Sequence, residues 1–170
     1  MTRRASLPMY DLPELREATD AWWHGLAAAL RREGLQGVPA ALTRSPDPAT
    51  DWTDLDLLLS QACGYPLVHD FADRLQPVAT PRYAVPGCEG ALYCSRIVVG
   101  RASPAERLED LRGRVCAVNG WDSQSGWNAL AAAAASLAPD GRFFAGALVT
   151  GSHAASLAAV AEGRAAVAAI

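Results

Sequence analysis

Apolar and polar positions recur with two periods along the chain, and the changes of period mark its elements. Residues 5–10 (Ala-Ser-Leu-Pro-Met-Tyr) read as a short first strand. Asp11, Pro13 and Glu14 then stand in the order of helix cap, first-turn proline and capping-box acid. Leu15, Trp22, Leu26 and Ala29 fall at helical spacing and predict the buried face of a helix that ends near Gly34. Residues 44–51 are rich in turn formers and predict a loop. The apolar run 55–60 leads into Gln61-Ala-Cys-Gly-Tyr-Pro66, where Gly64 and Pro66 break it. Residues 76–80 read as another strand, and 81–90, with two prolines and two glycines, as a loop or crossover.

The second half is more regular. Residues 92–100 predict a strand, and Ser103 to Glu106 open a short helix with capping-box spacing that Gly113 closes. Residues 115–119 predict a strand, 120–126 a polar turn, and the helix after it ends near Pro139. A strand over 143–150, a helix from Gly151-Ser152-His153 to Gly163, and a last strand over 165–170 complete the series. Strands alternating with helices predict an α/β fold with a largely parallel sheet. The chain stops within the last apolar segment, and the expectation drawn from that is a truncated domain.

Composition narrows the function more than the fold. The chain has 170 residues, which suits one domain or two small lobes. The formal charge is −3 and every cation other than histidine is arginine, so no basic footprint for nucleic acid is present. No window holds the roughly 18 apolar residues of a membrane span. Arg3 and Arg4 are not followed by an apolar stretch of signal-peptide length, so the sequence as written reads as cytoplasmic. Cys63, Cys88, Cys94 and Cys116 form no C-x-x-C pair, and with scattered histidines they complete no metal pattern; neither a metal nor a cofactor is expected. A Cys88–Cys94 disulfide and free thiols both remain open.

Two segments share one build of strand, small polar turn and helix: Val118 to Ala129, and Val149 to Ser156. Each sets hydroxyls and backbone N–H groups at a helix start, where the N–H groups lack internal partners and the dipole is positive. Such an end suits an anion, and in parallel α/β sheets these ends gather at the carboxyl edge. His153 adds a ring donor. Each serine alone also reads as a plain helix cap.

Asp122-Ser-Gln-Ser-Gly126, followed by Thr150-Gly-Ser-His153 and the residues on to Ile170, resembles the phosphate/phosphite/phosphonate-binding proteins of ABC transporters. The resemblance extends to Leu7–Tyr10 and Ser60–Tyr65. It implies a type II periplasmic binding-protein fold: two α/β lobes with mostly parallel sheets, lobe one over 1–88 with its final part missing and lobe two over 89–170. It also implies a phosphorus oxyanion held in the cleft between lobes, an ABC permease as partner, and a periplasmic or membrane-associated place of work. By position it assigns ligand binding to Ser123, Gln124, Ser125, Ser152 and His153, and cleft-lining roles to Tyr10, Gln61, Tyr65 and Tyr93. The chain departs from the family at Ala166, where an Asp is common, and ends at Ile170, where an acidic residue would follow.

Two other readings stand beside it. One is a truncated relative that holds no ligand. The other is a serine hydrolase using Ser125 and His153 with Asp122, against which Trp121 occupies the place of the first glycine in a Gly-x-Ser-x-Gly elbow around Ser123. Trp121 and Trp127 flank the polar turn as packing or as an apolar wall, while His24 and His69 have no companions at ligand spacing.

Overall fold

A computed structural model describes residues 3–138 and 141–170. The chain divides into two compact units, Met1–Gln76 and Pro77–Ile170.

In the first unit β1 (Arg4–Ser6) pairs in parallel with β2 (Leu57–Ser60), Ala5 opposite Leu59 and Ser6 opposite Ser60. A 3-10 turn (Pro13–Leu15) runs into α1 (Arg16–Arg32). The helix buries Trp23 and Ala27 against Ala5 and Leu7, with Leu26 and Leu30 beside them. Two short helices, α2 (Pro48–Trp52) and α3 (Gly64–His69), flank β2 in sequence.

Several expectations are corrected here. The first strand stops at Ser6, ahead of Pro8, which has no N–H to give to a ladder. Asp11 does not cap the helix: the cap position is Leu12, with no side-chain bond, and the Asp11 carboxylate instead accepts from Arg44 at 2.6 and 3.2 Å. The buried face of α1 is turned from the expected one, with Leu15 and Trp22 exposed, because Leu15 lies in the tighter 3-10 turn and out of register with the helix. The segment 44–51 is not all loop, since Asp47 caps α2 by accepting from the Ala49 N–H and Pro48 takes the first helical position. Gly64 and Pro66 end the apolar run by opening α3. No strand forms at 76–80, where every residue is exposed and none lies in helix or strand.

In the second unit β3 (Ile97–Val99), β4 (Val115–Val118), β5 (Gly146–Val149) and β6 (Val167–Ala169) form one sheet in the order β3-β6-β4-β5. β4 is parallel to both β5 and β6, and β3 is antiparallel to β6. Side chains alternate across β4. Cys116 and Val118 join Leu130 and Ala134 of α4 (Ala129–Ala135) in one core, while Ala117 joins Ala159 and Val160 of α5 (His153–Ala161) in another. The two helices therefore cover opposite faces. This is the α/β architecture with mainly parallel pairing that the alternation predicts.

The element ends differ in places. β3 is shorter than 92–100: Glu89 and Leu92 instead exchange two bonds across a tight turn in which Gly90 has φ +59°. The helix expected from Ser103 is a 3-10 turn (Leu108–Leu111), because the Asp110 carboxylate takes the Glu106 and Arg107 N–H groups and fixes the start later. The expected helix end at Pro139 lies outside the described residues. β5 begins at Gly146, after Phe143 has turned into the core and stacked edge-on with Phe144. All four cysteines are free thiols.

Candidate functional site

The carboxyl ends of β4 and β5 lie side by side, Val118 opposite Val149. Their outgoing segments turn to opposite faces of the sheet, which leaves a crevice at that edge. Thr150 N–H donates to the Val118 carbonyl at 2.8 Å and Gly151 N–H to the Asn119 carbonyl at 3.0 Å, so the two departing loops stay joined beyond the strands.

After β4 the chain enters a π-type turn (Gln124–Asn128) that leads directly into α4. Ser123 caps it: its Oγ accepts from Gly126 N–H at 3.0 Å. Its carbonyl accepts from both Trp127 and Asn128 N–H groups, at 3.1 and 3.0 Å, and this sharing widens the turn. A Cβ at Gly126 would fall onto Asn119 Oδ1, so any side chain there would force Asn119 to move. After β5, Ser152 caps α5 by accepting from Ala155 N–H at 3.1 Å. Thr150 Oγ1 lies 2.6 Å from Ser156 Oγ and 3.1 Å from the Val118 carbonyl, bracing the start of α5 against β4.

The two helix starts meet through one side-chain contact. Ser125 Oγ lies 3.0 Å from His153 Nε2. Burial holds the His153 pKa below its ordinary value, with the nearby Ala169 carbonyl opposing that only in part. The ring is thus neutral near pH 7. Among the described residues, Nδ1 is buried without a hydrogen-bond partner of normal geometry. The pair presents a hydroxyl, a ring nitrogen and two sets of first-turn N–H groups within one crevice. That is a donor-rich place for an oxyanion.

Five of the expected ligand residues, Ser123, Gln124, Ser125, Ser152 and His153, belong to these two helix starts. Ser123 is buried as a cap, whereas Gln124 is exposed, with its Oε1 3.5 Å from Asn128 Nδ2. Tyr93 lies exposed in the same unit, ahead of β3. Tyr10, Gln61 and Tyr65 belong to the first unit and follow the carboxyl ends of β1 and β2. Tyr10 is exposed, and Tyr65 stacks on His69 at 4.1 Å. The Gln61 carbonyl accepts from Trp52 Nε1 at 3.1 Å, beside a Ser6–Ser60 hydroxyl contact of 2.8 Å.

Trp121, ahead of the turn, and Trp127, within it, stand edge to face with ring centroids 4.8 Å apart. With Phe143, Phe144 and the alanines of α4 they line a pocket of about 410 Å³. Its walls are mainly alanine and aromatic, with Arg142 among them, and Ser123, Ser125 and His153 do not line it. Among the described residues no cluster of His, Cys, Asp and Glu suits a metal ion, and no helix is long and apolar enough to cross a membrane.

The family model for ABC-transporter, phosphonate, periplasmic substrate-binding proteins matches residues 5–170. The chain belongs to this phosphonate-binding family. No curated protein matches it. The family is the one that the Asp122–Gly126 and Thr150–Ile170 segments point to.

Sequence reasoning missed three contributors to this phosphonate-binding-family crevice. Asn119 closes against Gly126, Ser156 braces Thr150, and Ser95 donates to the Ser125 carbonyl at 2.9 Å. A polar residue directly after a strand was the available signal for Asn119. Ser95 carries no local signal, because its partner is 30 residues away.

Proposed function

We propose that the protein binds a small phosphorus oxyanion (phosphonate, phosphite or phosphate) for uptake through an ABC-type permease or for sensing. The observation that carries this reading is the Ser125–His153 contact of 3.0 Å between two adjoining helix starts. The first-turn N–H groups left over by the Ser123 and Ser152 caps, with the Ser125 hydroxyl and the His153 ring beside them, can donate, and an oxyanion is rich in acceptors. The match to the phosphonate-binding family supports the same chemistry. On this reading Ser125, His153 and the first-turn amides take the oxyanion, with Ser123, Gln124 and Ser152 shaping the turns. Tyr93, exposed in the same unit, is proposed to contact the organic part of a phosphonate.

The test is a thermal-shift series with phosphate, phosphite, methylphosphonate, 2-aminoethylphosphonate and sulfate. A ligand that binds only the folded state raises its melting temperature by mass action. The expected result is a shift with at least one phosphorus oxyanion and none with sulfate. Ser125→Ala and His153→Ala should each weaken binding by roughly 1.5–3 kcal/mol, as for hydrogen bonds to a charged group. No shift with any anion would mark the chain as a ligand-free relative.

One geometric observation favours a second reading, because a serine 3.0 Å from a histidine nitrogen is also nucleophile-to-base geometry. Among the described residues, however, His153 Nδ1 has no carboxylate partner, and Asp122, the expected third member, is exposed and leans on Gly120. Hydrolysis of p-nitrophenyl acetate should be no faster in the wild type than in Ser125→Ala, and a clear excess would turn the function toward catalysis.

A further inference from the structure

We infer that Ser95 is a positioning residue for the Ser125–His153 pair, an inference whose consequence for ligand binding rests on the function proposed above. Ser95 Oγ donates to the Ser125 carbonyl at 2.9 Å across part-buried space. Its backbone is well anchored. Arg96 and Ile170 exchange two backbone hydrogen bonds, of 2.8 and 3.0 Å, continuing the β3–β6 ladder by one residue. The Arg96 guanidinium also donates to the Pro86 carbonyl at 2.7 Å.

Ser125 is therefore held at two points by two different segments. Ser95 holds its carbonyl from the β3 side, and His153 holds its hydroxyl from α5. Fixing the carbonyl fixes the plane of the following peptide, and with it the rotation of the turn about its axis. That rotation decides where Oγ points. The bonds of the turn itself run through Ser123, whose hydroxyl and carbonyl take the Gly126, Trp127 and Asn128 N–H groups. The tether from Ser95 adds a constraint on Ser125 from outside the turn.

The test joins a ligand-free readout to a binding readout on the full chain. The protein has three histidines, His24, His69 and His153, so its imidazole C–H signals in a proton NMR spectrum are few, and His153→Gln identifies the one from His153. Ser125→Ala defines how that signal moves when the contact to Nε2 is lost. Without ligand, Ser95→Ala should move the His153 signal toward the Ser125→Ala position. It should also weaken methylphosphonate binding roughly two- to tenfold, the range for one neutral hydrogen bond. Ser95→Thr, which keeps the hydroxyl, should restore both. A His153 signal unmoved in Ser95→Ala would overturn the positioning role, whether affinity falls or not. If the wild type binds neither methylphosphonate nor phosphate while the signal still moves, the positioning role stands and the proposed function alone falls. Should Ser95→Ala fail to fold, Ser95→Cys, of similar size but a weaker donor, gives the same readings.

Discussion

At the scale of single residues, the ring of His153 joins the site to the protein's response to pH. Burial depresses its pKa in the folded chain, so the folded state resists taking up a proton that the unfolded state accepts near the ordinary value of about 6.5. Between those two values the unfolded state binds more protons, and stability falls as pH falls. Above the ordinary value the penalty vanishes. Without ligand, the melting temperature of the wild type should therefore drop between about pH 7.5 and about pH 5.5 by more than that of His153→Gln; equal drops would show that the ring does not govern the slope. His24 and His69 are common to both proteins and cancel in the comparison. Of the candidate site, Ser123, Ser125, Ser152 and His153 were legible in the sequence as members of two polar helix starts, because that placement is written in spacing along one segment. Asn119, Ser156 and Ser95 act through contacts that spacing does not encode. Asp11 shows the reverse failure: its position suits a cap, but Arg44, which binds both Asp11 and Asp20, draws the carboxylate away.

Among the elements, the π-type turn carries the clearest structural requirement. Its first carbonyl, on Ser123, serves two N–H groups, and Gly126 sits where Asn119 Oδ1 leaves no room for a side chain. Gly126→Ala should cost roughly 1–3 kcal/mol in a chemical-denaturation experiment, the usual penalty for forcing atoms into filled space. Adding Asn119→Ala should recover part of that loss, because the atom in the way is removed. Independent, additive effects of the two changes would refute the contact. Element type was legible where periodicity was strong: α1, β4, β5, α5 and β6 all form where the pattern puts them. It was less legible where local chemistry competed. The Ser103 segment has a capping pattern, yet Asp110 captures the free N–H groups and only a 3-10 turn survives. The β-like composition of 76–80 yields no strand, since a strand also needs a neighbour to pair with.

For the whole molecule, the division into Met1–Gln76 and Pro77–Ile170 puts a stretch without helix or strand beside the boundary. Arg82 is exposed in that stretch. Limited trypsin digestion of the native protein should cut first after Arg82 and give pieces spanning 1–82 and 83–170, read by mass spectrometry. Early cuts after Arg31 within α1, or after Arg114 at the start of β4, would contradict the compactness of the units. The α/β class was legible from the alternation of elements, and the family from two polar turns. The strand order was not, because nothing local tells a strand which neighbours it will have.

That order has a consequence for how the second unit comes into being. β6 is the last strand of the unit in sequence, yet it lies between β3 and β4. As the chain leaves the ribosome, β4 and β5 have each other to pair with, and the two helix starts of the crevice follow them at once. β3, made first, has no partner until β6 arrives more than sixty residues later and slots in between. Closing so long a loop is entropically costly and slow, so completing the sheet is the late step and β3 waits longest with its edge open. The crevice takes shape early in synthesis, whereas the tether that Ser95 lays across it from the β3 side arrives only when the sheet closes.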